Sequence, residues 1–160
     1  MILVINSGST SIKYKLFSYR LKVLGDGSVE NLEKADFKIG FLNILKSFEK
    51  YHTNIDKIAF RVVSGGLLND GTIIDNKALA EIKKSSFLAP LHNKIALICI
   101  AESMNHFKQK NHFAFFDTSY YKNLPENEQI YAIDQTIAKR YNIKRHGFHG
   151  ISHRFAYLSS

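Results

Sequence analysis

The sequence reads as an α/β domain built on a mixed sheet. Short apolar runs of strand length recur at Ile2–Ile5, Lys57–Val63 and His112–Phe116. Amphipathic helical patterns, Phe37–Phe48 and Ile95–Phe107, separate them. Early in the chain, Ile12, Tyr14 and Leu16 alternate with Lys13 and Lys15, the two-residue period of a half-buried strand. Three strands, a helix, then strand–helix–strand is the order of a mixed sheet with flanking helices. With 160 residues, 45% of them apolar, the chain suffices for one domain with a real core and is too short for two full-sized ones.

Taken in order, Ile2–Ile5 is a continuous apolar run, as in a strand buried on both faces. It breaks at the small polar residues Asn6 to Ser11, and Ile12–Leu16 returns. Leu21–Val29 reads as a third strand, with turn formers at Gly25, Asp26 and Gly27. Phe37, Phe41, Ile44 and Phe48 recur at three- and four-residue steps, predicting a helix of about four turns. Lys57–Val63 ends at Ser64, Gly65 and Gly66, where a sharp turn is expected. A weak helix, Lys77–Lys84, follows, then Pro90 and the stronger helix Ile95–Phe107. Tyr131–Ile133 reads as a short strand and Gln135–Tyr141 as one or two helical turns. Beyond the glycine-hinged HGFHG, Ser152 is the expected cap of a helix carrying Phe155 and Leu158. That pattern stops after two turns, as though cut within an element, which predicts exposed apolar residues there and self-association through them.

Composition narrows the function classes. The net charge is +8, but Lys13, Lys15, Arg20 and Lys22 alternate with apolar residues as on the wet side of a strand pair. No interleaved aromatic and basic platform appears, so a nucleic-acid partner is not expected. From Gln135 to Ser160 there are five Lys or Arg and no acid, an excess suited to a phosphate-bearing partner or an acidic neighbour. The lone Cys99 excludes an internal disulfide and sits in an apolar run as a small hydrophobe. No run approaches the roughly 20 residues that span a bilayer, and MILVIN lacks a basic region before it. A cytoplasmic protein without a membrane partner is the expectation.

Four polar clusters follow an apolar strand or a sharp turn, Asn6–Lys13, Arg61–Gly66, Asp117–Ser119 and His146–His153, and a fifth, Leu88–Asn93, lies between two helices. In open α/β sheets, ligands bind beyond the carboxyl ends of strands, so distant clusters can meet in one cleft. The first is either a phosphate-binding turn or an ordinary hairpin turn. It is not a Walker A loop, because no glycine precedes Lys13 and Tyr14 stands in place of Ser or Thr. Arg61 inside an apolar strand is a structural ion pair or an anion ligand. Asp117 is a base, a metal ligand or a cap. His146, His149 and His153 have metal-like spacing, but no carboxylate lies nearby in sequence, and donation to an oxyanion is the favoured role. His92 is a donor of that kind or a satisfied buried histidine.

Together VINSGSTSIKY (4–14), RVVSGG (61–66), LAPLHN (88–93), FDTSY (116–120) and HGFHGISH (146–153) resemble the first lobe of the acetate kinase family, within the acetate and sugar kinase/Hsp70/actin superfamily. The resemblance implies a ribonuclease-H-like fold of the actin-like ATPase superfamily and reversible phosphoryl transfer between ATP and acetate, giving acetyl phosphate and ADP. It implies Asn6 as a ligand of Mg²⁺ or Mn²⁺, and Lys13, with Ser9 and Ser11, along the nucleotide phosphates. Arg61 would hold the carboxylate or phosphoryl group, its planar fork suiting a bidentate anion. Val63, Leu91 and Phe148 would wall the acetate methyl. Asp117 would orient the attacking group and the metal, and His149 and His92 would donate to the transferring phosphoryl. Residues 1–160 would form the N-terminal lobe alone. The second, nucleotide-binding lobe, a further arginine and a metal-ligating glutamate lie outside it, so no appreciable turnover is expected of this chain by itself. The full-length protein would be a homodimer. Against the family pattern, Phe60, Ser64 and Tyr121 stand at histidine positions, Lys94 replaces a proline, and His146 and Ile151 replace tyrosine and threonine. Propionate or another short-chain acid is an alternative substrate, and a non-catalytic half-kinase that binds acetyl phosphate is an alternative of another class.

Overall fold

A computed structural model describes all 160 residues. β1 (Ile2–Ser7), β2 (Ile12–Phe17) and β3 (Val23–Val29) form an antiparallel meander, followed by α1 (Phe37–Ser47). β4 (Lys57–Val62) then pairs parallel to β1. After β5 (Thr72–Ile73) come α2 (Asn76–Lys84) and α3 (Pro90–His106). β6 (Asn111–Phe116) pairs parallel to β4 and closes the sheet order β3-β2-β1-β4-β6-β5. A 3-10 turn, Asp117–Tyr121, leads to α4 (Glu126–Gln129), α5 (Gln135–Tyr141) and α6 (Gly150–Ser159). The expected mixed sheet with flanking helices is the fold found.

One face of the sheet carries the core. Leu3, Ile5, Ile58, Phe60, Ala114 and Phe116 are buried against Phe41 and Leu45 of α1 and Cys99 and Ile100 of α3. Cys99 is wholly buried, and burial pushes its thiol up to about 12, so it stays an inert hydrophobe. Phe60, at a family histidine position, fills this core beside Phe41.

The opposite face is half-covered, which corrects the reading of Ile2–Ile5 as buried on both sides. Leu3 and Ile5 are wholly buried, but Ile2 and Val4 only partly. The reason is that α6, which crosses this side, packs on the sheet mainly at β6. Between α6 and the sheet lies an apolar groove of about 480 Å³, lined by Ile2, Val4, Ala59, Phe115, Ile151 and Leu158. Phe155 and Leu158 are 73% and 70% exposed, the apolar patch expected there.

Other boundaries shift for local reasons. Gly25, Asp26 and Gly27 run through β3 instead of turning; the turn falls earlier, where Leu21 has φ 58° and Ser18 N–H bonds Lys22 O. Gly27 is there because Tyr14 lies across it: a Cβ would come within 2.5 Å of the phenol oxygen. α3 begins at Pro90, five residues earlier than the apolar period suggests, because proline presets the first helical position and needs no donor. Tyr131–Ile133 is no strand, since Ile133 N–H folds back to Tyr131 O. His149, with φ 60°, caps α6 in place of Ser152.

His112, buried at the start of β6, predicts an acid limit. Its Nδ1–H donates to Lys110 O at 3.0 Å, so Nε2 accepts from the buried Ser103 hydroxyl, also at 3.0 Å. Burial holds its pKa below the ordinary 6.5, outweighing the two hydrogen bonds. The unfolded chain therefore binds the proton more readily. This contribution is full above pH 6.5 and is lost as pH falls through the depressed native pKa. Urea unfolding between pH 5 and 7 is expected to show stability falling toward acid, with a smaller slope in His112→Gln.

Candidate active site

The parallel strands deliver Asn6, Arg61 and Asp117 to one end of the sheet. Asn6 and Arg61 are register partners of β1 and β4, and Asp117 follows the last residue of β6. Arg61 spans the gap: Nε donates to Asp117 Oδ1 at 3.2 Å and Nη2 to Oδ2 at 2.5 Å, while Nη1 reaches Asn6 Oδ1 at 3.4 Å. The Asp117 side chain is 3% exposed and that of Arg61 23%. Both carboxylate oxygens are thus held by one planar fork, the strong geometry for such a pair.

A cavity of about 350 Å³ opens on this pair. Val63, Pro90, Leu91 and Phe148 give it apolar walls, and His92 and His149 belong to the same lining. Seven of the residues singled out in the sequence therefore meet here: Arg61, Val63, Leu91, His92, Asp117, Phe148 and His149. Leu91 is 67% and Phe148 38% exposed, so the cavity has an open mouth. The His92 pKa is lowered from its ordinary value, first by burial and then by the nearby Arg61 charge, against which Asp117 pulls upward. It is a neutral donor at pH 7.

The remaining candidates sit at the rim or apart. Lys13 stands opposite Asn6 across the β1–β2 pair and shares its sheet face. Ser9 and Ser11 belong to the hairpin turn, closed by Gly8 N–H to Ser11 O at 2.7 Å, and do not line the cavity. His153 pairs through Nδ1 with the Tyr121 hydroxyl, and His146 faces a different cavity. No three of His, Cys, Asp or Glu cluster as a metal site. Asn6 Oδ1 and the Asp117 carboxylate, both within reach of Arg61, form an oxygen donor set. All three oxygens accept from Arg61 here, so a hard cation such as Mg²⁺ would have to share them with the guanidinium and take its other ligands from water and phosphate.

Two devices position the site. Gly150 lets α6 sit against the Asp117 turn, where a Cβ would fall 2.1 Å from Asp117 O. Gly147, at φ 61°, faces the Tyr121 ring, and a side chain there would overlap it. Phe148 and His149 are thereby held over the cavity.

The second device is Asn93, whose role the sequence reading left unassigned although LAPLHN contains it. Wholly buried, it donates to Ser64 O at 2.8 Å and Ile82 O at 3.3 Å, and accepts from Ser64 N–H at 3.1 Å. This clamp fixes the Val63 loop against the first turn of α3, and so Val63 against His92. The local sequence carries no signal for this role, because the partners lie 11 and 29 residues away. Asn93→Ala leaves the buried Ser64 N–H without its acceptor, while Ser64 O and Ile82 O keep the Ser85 and Ser86 hydroxyls, for an expected loss of about 1–3 kcal/mol, measurable by urea unfolding.

The Acetokinase family model matches residues 38–159. The chain is 35% identical to an acetate kinase of Clavibacter michiganensis subsp. michiganensis and 33% identical to one of Mycoplasma pneumoniae. These matches cover 97% and 96% of this chain and 46% of each relative. Among solved structures, an acetate kinase of Porphyromonas gingivalis aligns with a TM-score of 0.86 at 28% identity, over 96% of this chain and 46% of that one. A propionate kinase of Francisella tularensis subsp. tularensis aligns with a TM-score of 0.81, also at 28% identity, over 97% and 46%. The chain spans about half the length of the relatives it matches, and its fold is that of the actin-like ATPase superfamily. With the family model matched over residues 38–159 and the backbone superposing on an acetate kinase, the chain belongs to the acetokinase family.

Proposed function

We propose that this chain carries the carboxylate and phosphoryl side of an acetate kinase site, for reversible phosphoryl transfer between ATP and acetate. The observation that carries the reading is the Arg61–Asp117 fork at a small cavity with apolar walls and two histidines. Arg61 offers the incoming carboxylate or phosphoryl group a planar pair of donors. Val63, Leu91 and Phe148 exclude water from the methyl group. His92 and His149 donate to the oxygens of the transferring phosphoryl, where losing one preorganised donor typically costs about 2.7–4 kcal/mol. Asp117, with both oxygens engaged, orients its neighbours rather than removing a proton. A carboxylate substrate is already ionised at pH 7 and needs no base.

Asn6 and Asp117 would hold Mg²⁺, which neutralises phosphate oxygens when bound. Lys13, with Ser9 and Ser11, would lie along the ATP phosphates. The chain covers 46% of its relatives, and the 160 residues alone are expected to give no turnover in a hydroxamate assay.

Calorimetry of acetyl phosphate tests the reading. Binding to the wild type and its loss in a folded Arg61→Lys variant, which keeps the charge without the fork, are expected; equal binding by both would sink it. Propionyl phosphate in the same titration addresses the second reading, favoured by the likeness to a propionate kinase and the open cavity mouth. One methylene is worth roughly 1–3 kcal/mol in such a pocket.

A further inference from the structure

A second polar cavity, of about 470 Å³, lies on the other side of Leu88 from the site just described. It is bounded by the Gly66–Leu67 turn, the end of α2, the Asp117–Tyr121 turn and the segment after α5. Its charge is one-sided: Lys84, Lys122, Lys144 and Arg145 line it, against the single acid Glu81. Glu81 is already committed, accepting from Leu67 N–H at 3.1 Å. Lys122 is committed too, donating to Leu67 O at 3.1 Å and Asn69 Oδ1 at 2.8 Å. Lys84, Lys144 and Arg145 have no carboxylate within salt-bridge distance. Three like charges around one concavity repel one another, a cost that an anion would relieve.

The Arg145 end of the cationic wall is anchored. α5 ends at Asn142 in the left-handed conformation (φ 50°), with Ile143 N–H returning to Ala138 O at 2.8 Å. Arg145 N–H is tied to Gln129 O at 2.9 Å, and its guanidinium lies over the Tyr131 ring at 5.7 Å. Two of the five cations of the acid-free basic segment, Lys144 and Arg145, lie here, and the phosphoryl-transfer site leaves them unexplained.

We propose that this cavity binds a ligand bearing a diphosphate group, held by Lys84, Lys144 and Arg145 at a site separate from Arg61 and Asp117. Two or more linked phosphates match three unneutralised cations better than a single carboxylate does. Inorganic pyrophosphate and a nucleoside diphosphate share this chemistry. The exposed rings of Phe87 and Tyr141 in the lining offer a stacking surface that only the nucleotide would use. Thr118 and Tyr121 line the cavity from the same turn that begins with Asp117, so an occupant would touch the element that carries the active-site acid.

His146 is the built-in reporter. It lines this cavity, and its pKa is lowered by burial and by Lys144. The test is a titration of the chain with pyrophosphate and, separately, ADP, followed by calorimetry and by the His146 imidazole signal, assigned with His146→Gln. Pyrophosphate is expected to raise the His146 pKa. Lys144→Ala/Arg145→Ala should weaken binding about tenfold or more, through loss of two charge-assisted contacts, whereas Lys144→Arg should retain it. Lys13→Ala, at the catalytic rim, should leave the His146 response intact. Tighter binding of ADP than pyrophosphate, lost in Phe87→Ala, would assign the nucleotide as the source; equal binding would assign the diphosphate group alone. An unmoved His146 pKa, or a response abolished by Lys13→Ala and kept in the double variant, would overturn the proposal while leaving the acyl-kinase reading untouched.

Discussion

Arg61→Ala is expected to destabilise the chain by about 3 kcal/mol, the lower end of the 3–5 kcal/mol range for breaking a buried ion pair. The large term is not the lost attraction but the Asp117 carboxylate left behind, 3% exposed and without its fork. Arg61 is 23% exposed, so water entering its vacated space softens the cost and argues against the upper end. Out of a typical total of about 5–15 kcal/mol, that loss remains severe. Urea unfolding of Arg61→Ala, Asp117→Ala and the double variant would measure it. The double variant should be more stable than the sum of the two single losses implies, because the second change removes the orphaned charge. A single-variant loss below about 0.5 kcal/mol would place the pair among solvated surface pairs and remove its claim to anchor the site.

Gly150→Ala should be nearly as damaging, by a different route. In an exposed helix the change would add roughly 0.5–1 kcal/mol of stability through lower unfolded-state entropy. Here the new Cβ would lie 2.1 Å from Asp117 O and 2.7 Å from Tyr120 Cβ. One obstacle is main chain, so no rotamer change relieves the clash. Overpacking of this kind costs about 1–3 kcal/mol and wins over the propensity gain. Relief comes from moving α6 off the turn, which carries His149 away from His92. The expected result is a chain whose sheet core is intact by near-ultraviolet dichroism but whose acetyl phosphate affinity falls at least tenfold. Wild-type affinity in Gly150→Ala would show that α6 does not position His149.

Much of the fold was legible because its core is one-sided and regular. The periods of β2 and α1 and the apolar run of β6 each report a face packed on a neighbour within the chain. The misses fall where a partner remote in sequence decides. Gly27 looks like a turn residue until Tyr14, across the hairpin, is seen to occupy its side-chain space. Ile2 and Val4 look doubly buried because hydropathy reports what can be covered, not what covers it. The active-site cluster was legible for the same topological reason that governs other open sheets: parallel strands end together, so Asn6, Arg61 and Asp117 had to meet. Asn93 was harder, since its importance lies in three backbone partners from the Ser64 loop and α2. No local pattern announces a side chain that works by satisfying other residues' main chain.

The groove beside α6 has a thermodynamic signature of its own. Covering Ile2, Val4, Ala59, Ile151 and Leu158 would remove mostly hydrocarbon from solvent, with a negative heat-capacity change. Any assembly through it would therefore loosen on cooling and resist added salt, unlike the contacts made by Arg61 or Arg145. Its melting midpoint would also climb with protein concentration, as mass action requires when only the native state associates.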